Sequence, residues 1–273
     1  MAQLSITTAW NETTAFLARE ARLVFPIAFL LGALPGLALQ IAGPAGAPGE
    51  MPEIGIAWLV LLPVTIVAGM IGSIAIAYLA LRPGRSVGEA LQRGLRRFIP
   101  LFLASLLIGV AAVIVVVPLV VLIVGGGGLA AGDLAAVAGP LLLLMLILLV
   151  LGVALWVKLM LMTAVAASED VGPVQIIARS WTLTAGHFWK LVGFIVLLVI
   201  AMVVAMMVIM LILGILIALV AGPPEPNSLS FILVGLISAL LQAIITATIV
   251  TVTTRIYVQL SGRGPGEVDQ VFA

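Results

Sequence analysis

A chain of 273 residues that is 64% hydrophobic and only 8% charged cannot expose most of its surface to water, because a soluble domain carries roughly 25% charged residues. It has no cysteine, which excludes disulfides, thiolate metal sites and cysteine nucleophiles. Its net charge is +1, so the distribution of charge along the chain is more informative than the sum. Long apolar runs recur over the whole length and predict an all-α, polytopic membrane protein.

Six apolar runs are long enough to cross a bilayer, which takes about 20 residues at a rise of 1.5 Å each. They do not alternate between polar and apolar residues, and this argues against a transmembrane β-barrel. We therefore predict one integral membrane domain over residues 1–273. Its six transmembrane helices are predicted at residues 23–41, 54–81, 98–124, 141–163, 191–221 and 231–254.

The connections between these runs differ sharply in charge. Residues 43–53, 125–140 and 222–230 are rich in Gly and Pro and contain acidic residues but no Lys or Arg. All twelve Lys and Arg residues fall on the other side of the predicted membrane. Because basic loops stay in the cytoplasm, this pattern predicts that both termini are cytoplasmic.

An amphipathic stretch on the basic side precedes each outward hairpin, at residues 4–22, 86–97 and 171–190. Such stretches are typical of helices that lie in the headgroup layer, where basic side chains attract anionic lipids and tryptophans mark the interface. We therefore expect anionic lipid headgroups to be partners and nucleic acid not to be one. The predicted contacts with the headgroup layer are Arg93, Arg96, Arg97, Lys158, Arg179, Trp181, Trp189, Lys190 and Arg255.

Two features inside the spans have a structural and a functional interpretation. Lys158 lies about 27 Å along its helix from Pro140, so it is either a snorkelling anchor at the inner headgroup layer or a proton-relay or ligand site. Ser238, Gln242 and Thr246 are spaced four residues apart and form one ribbon, which predicts either an interhelical hydrogen bond or the lining of a polar cavity. Small residues at helical spacing, such as Gly32 with Gly36, predict close helix contacts.

The sequence contains no motif that indicates catalysis. The glycine run at residues 125–128 lacks the Gly-Lys-Ser/Thr of a phosphate-binding loop, and no His-Glu-x-x-His or Gly-x-Ser-x-Gly occurs. The single histidine, His187, cannot form a multi-histidine metal site. We expect no cofactor, no metal and no catalytic residue.

Residues 165–194, VAASEDVGPVQIIARSWTLTAGHFWKLVGF, carry a resemblance to a known family. The stretch resembles the membrane-domain family of glycerophosphoryl diester phosphodiesterases and related six-span bacterial inner-membrane proteins. The matching residues are Glu169, Gly172, Pro173, Arg179, Ser180, Trp181, Leu183, Thr184, Gly186, Phe188 and Trp189. The resemblance implies a six-span architecture in the bacterial cytoplasmic membrane. It does not imply catalysis, because the hydrolase activity of that family belongs to a separate soluble barrel domain that we do not expect in this chain.

Three functional hypotheses follow from these observations. The first is a non-enzymatic integral membrane protein that organises the membrane or contacts lipids or a partner through its basic face. The second is a transporter or channel for a lipid-like or small amphipathic molecule, which would use the Ser238–Gln242–Thr246 ribbon. The third is an intramembrane enzyme on phospholipid headgroups with His187 as acid or base. The first is favoured because the basic residues segregate cleanly and a catalytic constellation is missing from the sequence.

Overall fold

The computed structural model describes residues 5–43, 55–127, 134–225 and 228–262, and no strand occurs among them. A π-helix at Ala28–Ala33 lies between the first and second α-helices. The helices in chain order are α1 (Ile6–Ile27), α2 (Leu34–Ile41), α3 (Ile56–Leu81), α4 (Val87–Gly127), α5 (Leu134–Leu159), α6 (Met162–Ser168), α7 (Pro173–Ala185), α8 (Phe188–Ala221) and α9 (Leu229–Ser261).

Six helical segments are long and apolar enough to cross a membrane, which confirms the predicted fold class. Each predicted run corresponds to one of them. The segments are Ile6–Ile41, Ile56–Leu81, Val87–Ile123, Ala138–Ser168, Phe188–Ala221 and Leu229–Ser261. The three connections predicted to be acidic lie partly outside the described residues.

The three amphipathic stretches do not share one structure. The first two continue without a break into the spans that follow them, through α1 and α4. Only the third is a separate helix, α7, which starts at Pro173 and ends at Ala185. Proline suits the first helical turn because its missing N–H would have no partner there. The chain leaves α7 at Gly186, and α8 begins at Phe188.

Burial is concentrated at the end of the bundle that carries the α3–α4 turn, the α6–α7 turn and the C-terminal part of α9. We call this end the basic end. Residues 74–81 of α3, 164–168 of α6 and 250–257 of α9 are all buried there. Towards the opposite end α4, α5 and α8 expose long apolar faces, such as Ile114 and Leu142. Exposed apolar residues of this kind suit a lipid environment, in which they need no protein partner.

Close helix approach occurs at glycines other than those that the spacing predicts. A Cβ on Gly94 would lie 2.7 Å from the carbonyl oxygen of Ile71, and one on Gly72 would lie 3.0 Å from Cβ of Leu31. By contrast, no atom lies within 4 Å of a Cβ built on Gly32 or Gly36. The prediction of close packing at those two glycines is therefore wrong, since helical spacing alone does not say which face meets a neighbour.

Candidate functional site

A cavity of about 490 Å³ lies between five of the six spans. Gln242 and Thr246 of α9 line it together with Gly32 of the π-helix. The side chains that sequence reasoning missed are also polar and come from α3, α4 and α6: Thr65, Ser73, Ser105 and Thr163. Their signal was present in the sequence, because each is an isolated hydroxyl in an apolar span.

A second cavity, of about 360 Å³, shares Gly32, Thr65 and Gln242 with the first. It is lined by Ser238 of α9 and reaches Gln40 at the end of α2 that lies away from the basic end. Every span contributes to one or both cavities, because Met206 of α8 lines the second. From Gly235 to Thr246 the two cavities extend about 16 Å along α9. We call the two together the central cavity.

The hydroxyl groups of the central cavity are mostly satisfied within their own helices. Thr65 donates to the carbonyl of Leu61 at 2.8 Å, with the carbonyl oxygen of Pro35 in α2 at 3.2 Å, and Ser238 donates to the carbonyl of Val234. The carboxamide of Gln242 is exposed to the cavity and, like the hydroxyls of Thr163 and Thr246, forms no hydrogen bond among the described residues. Placing an amide in hydrocarbon without a hydrogen-bond partner costs roughly several kcal/mol of free energy. Gln242 therefore requires water or a polar ligand group.

The chemistry of this lining is uncharged. Its residues are apolar, hydroxyl-bearing or amide-bearing, and none of them is ionisable. Such a lining can donate to and accept hydrogen bonds from a neutral polar group, while its leucines and methionines contact an apolar chain. It offers no counter-ion for a charged ligand and no proton donor or acceptor for acid–base catalysis.

A second cluster lies at the basic end, around the turn between α6 and α7. Arg97 of α4 is buried and donates to the backbone carbonyls of Ala166, Glu169 and Val171 at 3.2, 2.7 and 2.7 Å. These bonds satisfy carbonyls at the C-terminal end of α6, where positive charge is favourable. Arg97 therefore points into the protein, and its predicted contact with the headgroup layer is wrong.

Arg93 takes part in the same cluster, one helical turn before Arg97. Its Nε donates to the carbonyl of Ala167 at 3.0 Å, and its Nη1 lies 2.7 Å from Oδ1 of Asp170. Both arginines thus fasten α4 to the α6–α7 turn, and Asp170 lies between them, 3.7 Å from Nη1 of Arg97. Arg96, between them in sequence, is exposed.

Glu169 connects the same turn to two further helices. Its Oε1 accepts a hydrogen bond from Tyr257 of α9 at 2.8 Å and lies 3.3 Å from Nε of Arg179 of α7. Ser168 donates to the Tyr257 hydroxyl at 2.8 Å. The acidic residue and the arginine of the 165–194 stretch are therefore structural partners of one another.

Lys158 lies beside aromatic rings at the junction of α5, α7 and α8. Its Nζ is 5.3 Å from the ring centroids of both Trp181 and Phe188, within the range of cation–π attraction. Ser180 donates to the backbone carbonyl of Lys158 at 2.7 Å, which ties α7 to α5. The location at this junction fits an anchor.

The remaining predicted contact residues divide by exposure. Trp189 is 81% exposed, and Lys190 is exposed beside it. Arg255 is buried, and its guanidinium carbon lies 5.4 Å from the ring of Phe16 in α1. Its predicted contact with the headgroup layer is therefore wrong, because α1 covers it. His187 is half-buried at the start of α8.

Fold and cavity together define a six-span, α-helical membrane protein with a polar centre and a basic end. Among the described residues, no group of three or more His, Cys, Asp or Glu could hold a metal ion. The chain belongs to the family described as "Domain of unknown function (DUF7847)", whose model matches residues 4–260. Neither the curated proteins nor the solved structures contain a match to it.

Proposed function

We propose that this chain is a non-enzymatic membrane protein that binds a small amphipathic molecule with an uncharged polar head in its central cavity and carries it through the membrane. The observation that supports this most directly is Gln242, an amide without a partner among the described residues, which lines both parts of the cavity. The hydroxyls of Thr65 and Ser238 offer further acceptor positions to the same head group. An alcohol, glycerol or amide head on an apolar chain fits this lining.

A second candidate function is that of a membrane-organising or lipid-interacting component. It is supported by the exposed basic and aromatic residues at the basic end, among them Arg96, Trp181, Trp189 and Lys190. These side chains suit contact with anionic headgroups and the interfacial layer. The two functions are compatible, since the cavity and the exposed residues occupy different parts of the bundle.

We further propose that the protein lies in the cytoplasmic membrane of a bacterial cell and that its basic end faces the cytoplasm, which places both termini in the cytoplasm. The segregation of all twelve Lys and Arg residues supports this orientation. The motif at residues 165–194 supports a relationship to the glycerophosphoryl diester phosphodiesterase membrane domains. Its residues Glu169, Arg179 and Ser180 have structural partners here, which agrees with a shared architecture rather than a shared reaction.

Thiol labelling tests the proposed cavity, because a chain without cysteine acquires a unique thiol from each single substitution. Gln242→Cys would place a thiol in the cavity, and Leu240→Cys would place one two residues away, outside the lining. Only a hydrated thiol ionises and reacts readily, so we expect an impermeant cationic methanethiosulfonate to label Gln242→Cys roughly tenfold faster or more. Equal rates would contradict a hydrated cavity.

Ligand binding is tested in the same membranes with a defined probe. We expect 1-octanoylglycerol, an uncharged amphiphile, to slow the labelling of Gln242→Cys in proportion to its concentration, because probe and reagent compete for one space. Glycerol, which lacks the chain, is the control and should protect much less. A cavity that labels rapidly but is not protected by 1-octanoylglycerol would contradict the proposed ligand class.

A further inference from the structure

A polar cavity of about 270 Å³ lies at the basic end, separate from the central cavity. It is formed where the end of α3, the start of α4 and the α6–α7 turn meet. Its volume is several times the roughly 30 Å³ that a water molecule occupies in the liquid, so it can hold a polar head group. Its lining residues are Tyr78, Arg82, Glu89, Gln92, Arg93, Arg96 and Asp170.

The charges of this cavity leave two guanidinium groups without a carboxylate. Asp170 lies 2.7 Å from Nη1 of Arg93, and Glu89 lies 3.6 Å from Nη1 of Arg85, which is not part of the lining. Within the described ranges Arg96 has neither a hydrogen bond nor an ion pair, and Arg82 contacts only Tyr78. The cavity therefore presents two guanidinium groups, those of Arg82 and Arg96, to an anion.

Tyr78 positions the guanidinium group of Arg82. Arg82 Nη1 donates to the Tyr78 hydroxyl at 3.4 Å, and its guanidinium carbon lies 5.3 Å from the centroid of the same ring. The hydroxyl of Tyr78 can still donate its own proton to an anion in the cavity. The planar guanidinium suits a phosphate group, which it can bind through two N–H donors at once.

An apolar stripe begins beside Arg96 and runs along α4. From Arg96 the stripe follows helical spacing through Ile99, Leu103 and Leu106, which are 54, 42 and 50% exposed. It is about 15 Å long and faces away from the bundle. A ligand with its anion at Arg96 would thus find a surface for an acyl chain directly alongside.

We propose that this cavity binds the phosphate group of an anionic phospholipid, with Arg82 and Arg96 as its ligands, Tyr78 as a further donor, and one acyl chain along the stripe on α4. The site differs from scattered headgroup contacts in that it is concave and uses residues from two helices. It goes beyond the proposed transport function and does not depend on the central cavity. A free phosphate has the same head chemistry but gains nothing from the apolar stripe.

Titration of the purified full chain in an uncharged detergent tests this site by native mass spectrometry. The probe is dioctanoyl phosphatidylglycerol, and dioctanoylglycerol is the matched lipid without phosphate. We expect the combined Arg82→Gln and Arg96→Gln variant to bind the phospholipid at least about tenfold more weakly than the unaltered chain, because two charge-assisted bonds are lost. Arg22→Gln removes one positive charge, as Arg96→Gln alone does, from an exposed position on α1 and should bind within about twofold of the unaltered chain.

The single variant Arg96→Gln guards against misfolding, since Arg96 is exposed and unpaired among the described residues. It should weaken binding by itself. Unchanged binding in the double variant, or equally strong binding of dioctanoylglycerol, would overturn the site. Displacement of the phospholipid by an equal concentration of inorganic phosphate would overturn the lipid as its source. Gln242→Leu should leave this binding unaltered, so failure here is distinct from failure of the central cavity.

Discussion

The hydroxyl of Tyr257 donates a hydrogen bond of 2.8 Å to Glu169, and this bond joins the last span to the turn that follows the fourth. Ser168 donates to the same hydroxyl. Tyr257 itself is 2% exposed and packs in the continuous apolar core of the basic end. A chain of polar contacts therefore extends from the buried Tyr257 of α9 through the half-buried Glu169 to Arg179 of α7.

Tyr257→Phe should lower the thermal stability of the purified protein. The substitution keeps the ring but removes the hydroxyl, so the half-buried carboxylate of Glu169 loses a donor, at a cost of about 1 to 3 kcal/mol. The midpoint of thermal unfolding in detergent measures this loss. Thr14→Val is the control, because Thr14 is exposed and bonds only to the carbonyl of Asn11 in its own helix. An unaltered midpoint for Tyr257→Phe would mean that the bond does not stabilise the basic end.

Arg97→Gln should be far more damaging than Arg96→Gln, although the two arginines are neighbours in sequence. Arg97 satisfies three backbone carbonyls around the end of α6, and its loss leaves buried acceptors without donors. We expect a destabilisation of about 3 kcal/mol for Arg97→Gln. Arg96 is exposed and should tolerate the same change with almost no shift in the unfolding midpoint. Similar midpoints for the two variants would contradict the inward role of Arg97.

Gly94→Ala tests the closest contact between α3 and α4. An added Cβ would lie 2.7 Å from the backbone oxygen of Ile71, so one helix must move, and overpacking of this kind typically costs about 1 to 3 kcal/mol. Gly109→Ala is a matched control in the same helix, because no atom lies within 4 Å of its added Cβ. Since alanine favours helix more than glycine, Gly109→Ala should be neutral or slightly stabilising. Two equally stable variants would show that α3 and α4 can separate freely.

The sequence predicted the spans well because length and hydropathy depend only on local composition. It could not distinguish Arg96 from Arg97, since both fall on the basic side of one amphipathic stretch and only the position of α6 separates them. The Ser238–Gln242–Thr246 ribbon was visible as helical spacing. Thr65 and Ser105 were visible only as isolated hydroxyls in apolar spans. Their position beside this ribbon could not be predicted, because it depends on the order in which the helices pack.

Reporter fusions test the proposed orientation of the chain. A fusion after Arg85, in the turn between α3 and α4, should report a cytoplasmic location, and one after Gly126 should report the opposite side. Paired reporters that are active on only one side, such as alkaline phosphatase and a fluorescent protein, provide the measurement and each other's control. The reverse pattern would show that the twelve basic residues do not set the orientation.

Gln242→Leu should separate stability from binding in the central cavity. Leucine replaces an amide that has no hydrogen-bond partner among the described residues. The free energy of unfolding should therefore stay equal or rise by up to about 1 kcal/mol. Binding should fall, because the polar head of the ligand loses its central donor and acceptor.

The measurement is protection of Thr246→Cys from thiol labelling by 1-octanoylglycerol, with and without Gln242→Leu. Thr248→Val is the control on the same helix, since Thr248 is outside the lining and bonds to the carbonyl of Ile244. A stable Gln242→Leu variant that is still fully protected would exclude Gln242 as the residue that recognises the head group.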